Sequence, residues 1–234
     1  MSSKQNIEVT SGQVHPTKYG IILFPGFQLL DVFGPLDALS VLSTRVKLDP
    51  LIIIAETLDP VYSGSAQSMW NSAGSDFGAS VVPTHTFETV PDDLEVLLVP
   101  GGSGAVQPGA DDRRVEFIKK TYPKLKYLVT ICNGVGLAAQ AGVLDGKRAT
   151  ADKAIWVRTT SLGPSVNWVK TARWVADGNI WTSSGVSAGL DVTLGWIAEV
   201  FGEETAREVA NVQEYEWKND ANWDVFGFIW GDGM

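Results

Sequence analysis

The fold is best indicated by the stretch Tyr127-Leu-Val-Thr-Ile-Cys-Asn-Gly-Val-Gly-Leu-Ala-Ala-Gln-Ala-Gly142. Apolar and β-branched residues lead into Cys132, the only cysteine of the chain, and small residues at helical spacing follow it. This order predicts a buried strand, a sharp turn and a helix, with the thiol at the turn. Because the helix points its positive N-terminal end at the turn, we expect Cys132 to ionise more easily than a free cysteine. The alternative is a structural cysteine buried at a strand end.

Strands and helices alternate along the rest of the chain. Further buried strands are predicted at 19–24, 51–55 and 94–102, and helices at 29–42, 111–121 and 203–217. Another strand is predicted to begin at 180 and to lead into a helix that runs to about 201. The strands do not alternate between apolar and polar residues, which is typical of strands covered on both faces. We therefore predict an α/β domain with a mainly parallel sheet and helices on both faces.

Composition and charge limit the function classes. The 234 residues are 44% hydrophobic and 19% charged, a globular balance that predicts one compact domain. Polar residues 1–17 predict a loose arm, and the aromatic-rich residues 218–234 predict a tail packed on the domain or a partner, so the domain is expected at 18–217. The net charge of −9 argues against nucleic-acid binding, and no apolar run is long enough for a membrane span. With one cysteine and no visible signal peptide, a reducing, cytoplasmic location is expected.

Asp31 is the candidate partner of Cys132. The chain has only two histidines, His15 in the arm and His85 in a connecting segment, so a Cys-His-acid triad is poorly supported. Asp31 follows the first strand within an apolar run, where poor solvation should raise the pKa of its carboxyl. A protonated carboxyl beside a thiolate can act as general acid, whereas the alternative role is a helix N-cap. Asp37, further along the helix, is a weaker candidate that faces solvent.

Other pocket residues are predicted where turns meet the carboxyl edge of the sheet, the usual place for a site in such folds. Backbone amides in the Pro-Gly-Gly turn and in the elbow could form an anion-stabilising hole, and the Ser-Ser-Gly turn could line the same pocket. The alternatives are an ordinary tight turn and a helix start. The pocket residues predicted in this way are Gly101, Gly102, Asn133, Gly134, Ser184 and Gly185.

Five motifs in sequence order resemble the ThiJ/PfpI superfamily, whose fold is that of the class I glutamine amidotransferases. The motifs are Phe24-Pro-Gly-Phe-Gln-Leu-Leu-Asp-Val-Phe-Gly-Pro35, Val99-Pro-Gly-Gly102, Ile131-Cys-Asn-Gly134, Ala141-Gly-Val-Leu-Asp-Gly-Lys-Arg-Ala-Thr150 and Thr182-Ser-Ser-Gly-Val-Ser-Ala-Gly-Leu-Asp191. Within the superfamily the chain is most similar to isonitrile hydratase-like members. The resemblance implies a flavodoxin-like three-layer sandwich, a homodimer, a small-molecule substrate and no metal or organic cofactor. It also implies that Cys132 is the nucleophile and Asp31 the acid beside it.

The chain departs from these relatives at three points. Asn133 follows the cysteine where hydratase members commonly have threonine, and Ala151-Asp152-Lys153 stands where many relatives have Thr-His-Trp. The chain also lacks the histidine that proteolytic and glyoxalase-type members place next to the cysteine. These differences leave the substrate open.

Four hypotheses about function follow. The first is a cysteine-dependent hydratase or lyase, in which Cys132 adds to an electrophilic carbon such as that of an isonitrile, Asp31 protonates the substrate, and an N-substituted formamide is released. The second is an acid–base enzyme, a cyclase or isomerase, that acts on a larger biosynthetic intermediate in the same pocket. The third is a dimeric redox-sensing or protective protein that works through oxidation of Cys132. The fourth is a scaffold with an inert thiol.

Overall fold

The computed structural model describes residues 15–64, 71–106, 109 and 111–230. Within them the strands are β1 (Tyr19–Ile22), β2 (Ile52–Ala55), β3 (Val61–Tyr62), β4 (Ser80–Val81), β5 (His85–Thr86), β6 (Val96–Val99), β7 (Tyr127–Thr130), β8 (Arg148–Ala149), β9 (Asn167–Trp168), β10 (Trp174–Asp177) and β11 (Ile180–Ser183). The helices are α1 (Leu29–Ser43), α2 (Arg113–Thr121), α3 (Val135–Gln140), α4 (Trp156–Thr160), α5 (Ala188–Phe201), α6 (Glu203–Val212) and α7 (Phe226–Ile229). Most of the predicted arm, the end of the predicted tail and Trp70 lie outside the described residues.

The central sheet has the strand order β10-β11-β7-β6-β1-β2-β5. Its neighbouring strands are parallel except β10, which pairs antiparallel with β11. Helices α1, α5 and α6 contact one another, and α2 contacts α3, so two separate helical layers cover the sheet. The predicted flavodoxin-like α/β fold with a mainly parallel sheet is confirmed.

The middle of the sheet is the core. Strands β1 and β6 are buried along their whole length, as the run of apolar residues without alternation predicts for strands covered on both faces. Leu97 of β6 pairs with Gly20 of β1 and Leu128 of β7. This arrangement brings the carboxyl ends of β1, β6 and β7 to one edge of the sheet, where the predicted turns meet.

The predicted helix at 203–217 is too long. Helix α6 ends at Val212, and Glu214 has a φ of 50°, in the left-handed region that ends a helix. The Tyr215 N–H then donates to the Ala210 carbonyl at 2.9 Å, which closes the helix end. The chain turns back over α5, where the Tyr215 hydroxyl donates to Asp191 Oδ1 at 2.9 Å.

The described parts of the two predicted flanking segments contact the domain. The Thr17 N–H donates to the Glu95 carboxylate at 2.6 Å. In the tail, the Arg173 N–H donates to the Ala221 carbonyl and the Asp224 N–H to the Thr171 carbonyl, both at 2.8 Å. None of the helices in the described ranges combines the length and the apolar character needed to cross a bilayer.

Candidate active site

Cys132 sits at a strained turn at the end of β7. Its φ is 58°, a left-handed conformation that residues other than glycine rarely adopt. Its N–H donates to the Ser184 carbonyl at 3.0 Å, and a 3₁₀ turn at Cys132–Gly134 leads into α3. A Cβ at Gly134 would lie 2.4 Å from the Pro100 carbonyl oxygen, so only glycine lets the elbow pack on the turn after β6. The geometry is that of a nucleophile elbow.

The thiol borders a cavity of about 430 Å³ at the carboxyl edge of the sheet. Of the predicted site residues, Cys132, Asn133 and Gly102 line this cavity. Asp31, Gly101, Gly134, Ser184 and Gly185 do not line it. The structure therefore gathers the predicted segments at one edge but divides them between the cavity and its supporting layer.

Asp31 belongs to the supporting layer. It lies in the first turn of α1 and has no exposed surface. The residue at the N-cap position is Gln28, so the alternative role of Asp31 as N-cap is wrong. Its Oδ2 accepts the Gly101 N–H at 2.9 Å, whereas its Oδ1 is buried without a hydrogen-bond partner among the described residues. Burial raises the pKa of the Asp31 carboxyl to about 7, and the nearby Asp152 charge adds to this rise.

Asn133 holds the Pro-Gly-Gly turn in place. Its Oδ1 accepts the Gly102 N–H at 2.8 Å, and its Nδ2 donates to the Gly102 carbonyl at 3.0 Å. The amides of Gly101 and Gly102 thus donate to Asp31 and Asn133. An anion could use either amide only by displacing one of these side chains.

Asp152 is a second carboxyl group at the thiol. The Cys132 Sγ donates to Asp152 Oδ2 across 3.1 Å, and Asp152 lines the cavity. The other oxygen, Oδ1, accepts the Ala154 N–H at 2.6 Å and the Ile155 N–H at 3.4 Å. A Cβ at Gly185 would lie 3.1 Å from Oδ2, which is why a residue without a side chain suits that position.

The environment of the thiol opposes its ionisation. Burial raises the pKa of Cys132 well above its ordinary value, and the charges of Asp31 and Asp152 raise it further. The Asn133 N–H, which donates to the sulfur, offsets only part of this rise. The expectation that Cys132 ionises more easily than a free thiol is therefore wrong, because burial, together with the charges of two carboxyl groups, outweighs the helix end.

A buried ionic cluster lies behind the Asp152 loop. Lys153, 1% exposed, donates from Nζ to Thr150 Oγ1 at 2.7 Å and to the carbonyls of Ala151 and Ala172 at 2.8 and 3.1 Å. Its Nζ is 3.8 Å from Asp224 Oδ2. Burial lowers the pKa of Lys153 to about 8, although the Asp224 charge opposes this.

The cluster extends to α5 and to the tail. Arg173 bonds Asp191 Oδ2 from Nε at 2.8 Å and lies 3.5 Å from Asp224 Oδ1. The Ser184 hydroxyl donates to Asp224, so this predicted pocket residue faces the tail rather than the cavity. Two cations and two anions thus pair in the interior, where a charge without a partner would be costly.

Sequence reasoning missed Asp152 and the ionic cluster. The segment Ala151-Asp152-Lys153 departs from relatives, but its place beside the thiol depends on contacts far apart in sequence, such as the Thr150 N–H that donates to Thr182 Oγ1 at 2.9 Å. The available signal was an acid three residues after the end of β8, within a segment that already departs from relatives. Among the described residues, no group of three or more metal-ligating His, Cys, Asp or Glu side chains converges.

Comparison with known proteins assigns this geometry to a family. Residues 17–199 match the model of the DJ-1/PfpI family. The chain is 35% identical over 197 residues to isonitrile hydratase of Pseudomonas putida, which covers 84% of this chain and 77% of that protein. It is 34% identical over 108 residues to deglycase PfpI of Pyrococcus furiosus, covering 46% of this chain and 63% of the relative. A crystal structure of a ThiJ/PfpI family protein from Pseudomonas syringae superposes with a TM-score of 0.72 at 29% identity, covering 87% of this chain and 76% of the other.

Proposed function

The chain belongs to the DJ-1/PfpI family, and on that premise we propose that it is a cysteine-dependent hydratase that converts isonitriles into N-substituted formamides. The observation that carries the proposal is the only thiol of the chain, held at a strained elbow on a cavity of about 430 Å³. A cavity of this size suits a small substrate. The relative named isonitrile hydratase, which aligns with most of the chain, supports the substrate class.

The proposed reaction has two halves. In the first, the Cys132 sulfur adds to the terminal carbon of the isonitrile, and a proton ends on the same carbon, which gives a thioimidate. In the second, water adds to the carbon–nitrogen double bond, and the carbon–sulfur bond breaks to release the formamide and the free thiol. Covalent catalysis of this kind divides one difficult addition into two easier steps.

Asp31 is the buried acid of the proposed site. A neutral carboxyl leaves one negative charge fewer beside the sulfur, so thiolate forms more readily during attack while Asp31 is protonated. With a pKa of about 7, this carboxyl is neutral in a large share of molecules at physiological pH. Turnover should therefore fall as pH rises through about 7.

The test is an assay with a panel of alkyl and aryl isonitriles, with the formamide product measured by mass spectrometry. Cys132→Ser should abolish turnover, and Asp31→Asn, whose side chain is neutral at every pH, should remove the fall of turnover as pH rises through about 7. Asp37→Asn is the matched control, because Asp37 lies on the same helix, is exposed, and accepts a bond from Gln213 at the surface. No formamide from any isonitrile, or full turnover in Cys132→Ser, would contradict the proposal.

The other hypotheses give different outcomes in the same assay format. An acid–base cyclase or isomerase would retain much activity in Cys132→Ala but not in Asp31→Asn. A redox sensor would show stoichiometric oxidation of Cys132 by peroxide and no turnover. The raised pKa of Cys132 and its 5% exposure weigh against the sensor, because oxidation favours accessible thiolates.

A homodimer in the cytoplasm completes the proposal. Leu30 and Phe33 of α1 are 40% and 46% exposed and line an apolar groove with Leu190. Light scattering should show a dimer, and Phe33→Asp should shift it toward the monomer. A wild-type monomer would contradict the proposed dimer.

A reducing compartment such as the cytoplasm suits a lone nucleophilic thiol.

A further inference from the structure

Of the two carboxyl groups at the thiol, only one faces the place where a substrate would bind. Asp152 lines the cavity together with Cys132, whereas Asp31 has no exposed surface and does not line it. Proton transfer needs donor and acceptor within hydrogen-bond reach. Asp152 borders the space where a substrate would bind, whereas Asp31 is buried outside that lining and accepts the Gly101 N–H.

The orientation of Asp152 is fixed by its surroundings. The Ala154 N–H binds Oδ1 at 2.6 Å, which leaves Oδ2 to point at the sulfur 3.1 Å away. A Cβ at Gly185 would come within 3.1 Å of Oδ2, so this glycine leaves room for the carboxylate. The carboxylate therefore has one oxygen for its loop and one for the reacting thiol.

The loop that carries Asp152 is anchored to the ionic cluster. Lys153, the next residue, is held by Thr150, by two backbone carbonyls and by Asp224 of the tail segment. The Lys153 ammonium also attracts the Asp152 carboxylate and the sulfur. This anchoring provides the preorganised placement that a proton-transfer group needs.

We infer that Asp152 is a catalytic residue of this site, the base that takes the Cys132 proton and delivers it to the substrate. The inference rests on the proposed hydratase function and assigns its proton transfers to a residue of this chain. If the Asp152 carboxylate only suppressed ionisation of the thiol, it would slow the reaction. A carboxylate at hydrogen-bond distance from the sulfur can instead assist the reaction by accepting the thiol proton.

The Asp152 carboxylate alone can carry every proton transfer of the proposed reaction. In the first half, the S–H bond breaks toward Oδ2, the S–C bond forms, and the proton passes from Oδ2 to the isonitrile carbon, whose triple bond to nitrogen becomes a double bond. In the second half, Oδ2 takes a proton from the attacking water and gives it to nitrogen. When the C–S bond breaks, the remaining hydroxyl proton returns to sulfur through Oδ2. The sum is isonitrile plus water to formamide, with no oxidant or reductant.

The test compares turnover with thiol reactivity in Asp152→Asn. Removing the negative charge should move the pH midpoint of iodoacetamide alkylation of Cys132 downward, because thiolate forms more easily. Turnover of isonitrile should nevertheless fall roughly 100-fold, because the proton acceptor is lost. Asp152→Ser, which keeps an acceptor for the Ala154 N–H, is a second variant with the same expected pair of results. Asp145→Asn, an exposed acid in the preceding segment, should change neither quantity.

Each other outcome has a defined meaning. Unchanged or higher turnover in both variants with a lowered midpoint would overturn the inference and leave the proposed function standing. An alkylation midpoint that does not move would also overturn it, because the carboxylate would then not interact with the thiol. A wild-type protein that hydrates no isonitrile would remove the proposed function, and the catalytic role of Asp152 with it.

Discussion

At the scale of single residues, the two carboxyl groups beside Cys132 decide how the thiol reacts. The elbow brings the sulfur to the end of a helix, an arrangement that lowers the pKa of many thiols. Here burial and the charges of Asp31 and Asp152 raise it instead. The thiol is therefore protonated in the resting protein, and a base must remove that proton during the reaction.

Alkylation reports this state directly, because Cys132 is the only thiol. The rate of iodoacetamide modification of the native protein should have its pH midpoint above the free-thiol value of about 8.5. Asp31→Asn should lower the midpoint by removing one adjacent charge, whereas Asp37→Asn should not. A wild-type midpoint below 8 would contradict the reading of this site.

Asp31 also links stability to pH. Its pKa of about 7 lies above the unfolded value, so the folded state binds more protons between about pH 4 and 7. The stabilisation due to this carboxyl is complete below about pH 4 and is lost as pH rises through 7. The free energy of unfolding of Asp31→Asn, relative to wild type, should therefore rise over this range by an amount on the order of a few kcal/mol.

Urea unfolding at several pH values measures this difference. Asp37→Asn, the control on the same helix, should differ from wild type by a constant amount across the range. Parallel curves for Asp31→Asn and wild type would show that Asp31 has an ordinary pKa in the folded state.

At the scale of elements, the elbow depends on close contact between two turns. A Cβ at Gly134 would lie 2.4 and 2.5 Å from the carbonyl oxygens of Pro100 and Val99, and backbone cannot move aside as a side chain can. We expect Gly134→Ala to destabilise the protein by roughly 2 kcal/mol or more and to displace the thiol. Thermal unfolding measures the loss. Gly109→Ala, where no atom of the described residues lies within 4 Å of an added Cβ, should be close to neutral, and equal melting temperatures for the two variants would contradict this role of Gly134.

Local patterns predicted those elements whose signal is local. The strand, elbow and helix around Cys132 and the strand and helix around Asp31 follow from apolar runs and turn residues. The end of α6 was misplaced because the left-handed turn at Glu214 has no glycine to mark it. Asp152 could not be placed because the strand before it, β8, has only two residues, and the pairing of β8 with 167–168 is a long-range contact. The raised pKa of Cys132 comes first from burial and then from Asp31 and Asp152, and the depth of burial is set by packing between distant segments that a local pattern does not show.

At the scale of the whole molecule, the C-terminal segment contributes a buried carboxylate, Asp224, to the interior. Asp224 lies within reach of Lys153 and Arg173 and accepts the hydroxyl of Ser184. Removing one partner of a buried ion pair leaves an uncompensated charge, at a cost of roughly 3–5 kcal/mol. Asp224→Asn should therefore lower the free energy of unfolding by about this amount. Asp220→Asn, an exposed acid in the same segment, should have little effect, and equal effects of the two would contradict the proposed anchoring.

The most direct test of the central claim is to trap the bond between Cys132 and the substrate. An alkyl isonitrile is mixed with the protein, the reaction is quenched early with borohydride, and the tryptic peptides are mapped by mass spectrometry. We expect the Cys132 peptide to gain the mass of the isonitrile plus the two hydrogens of reduction, and Cys132→Ser to form neither adduct nor formamide. Formamide production at an undiminished rate in Cys132→Ser, with no adduct in wild type, would contradict it.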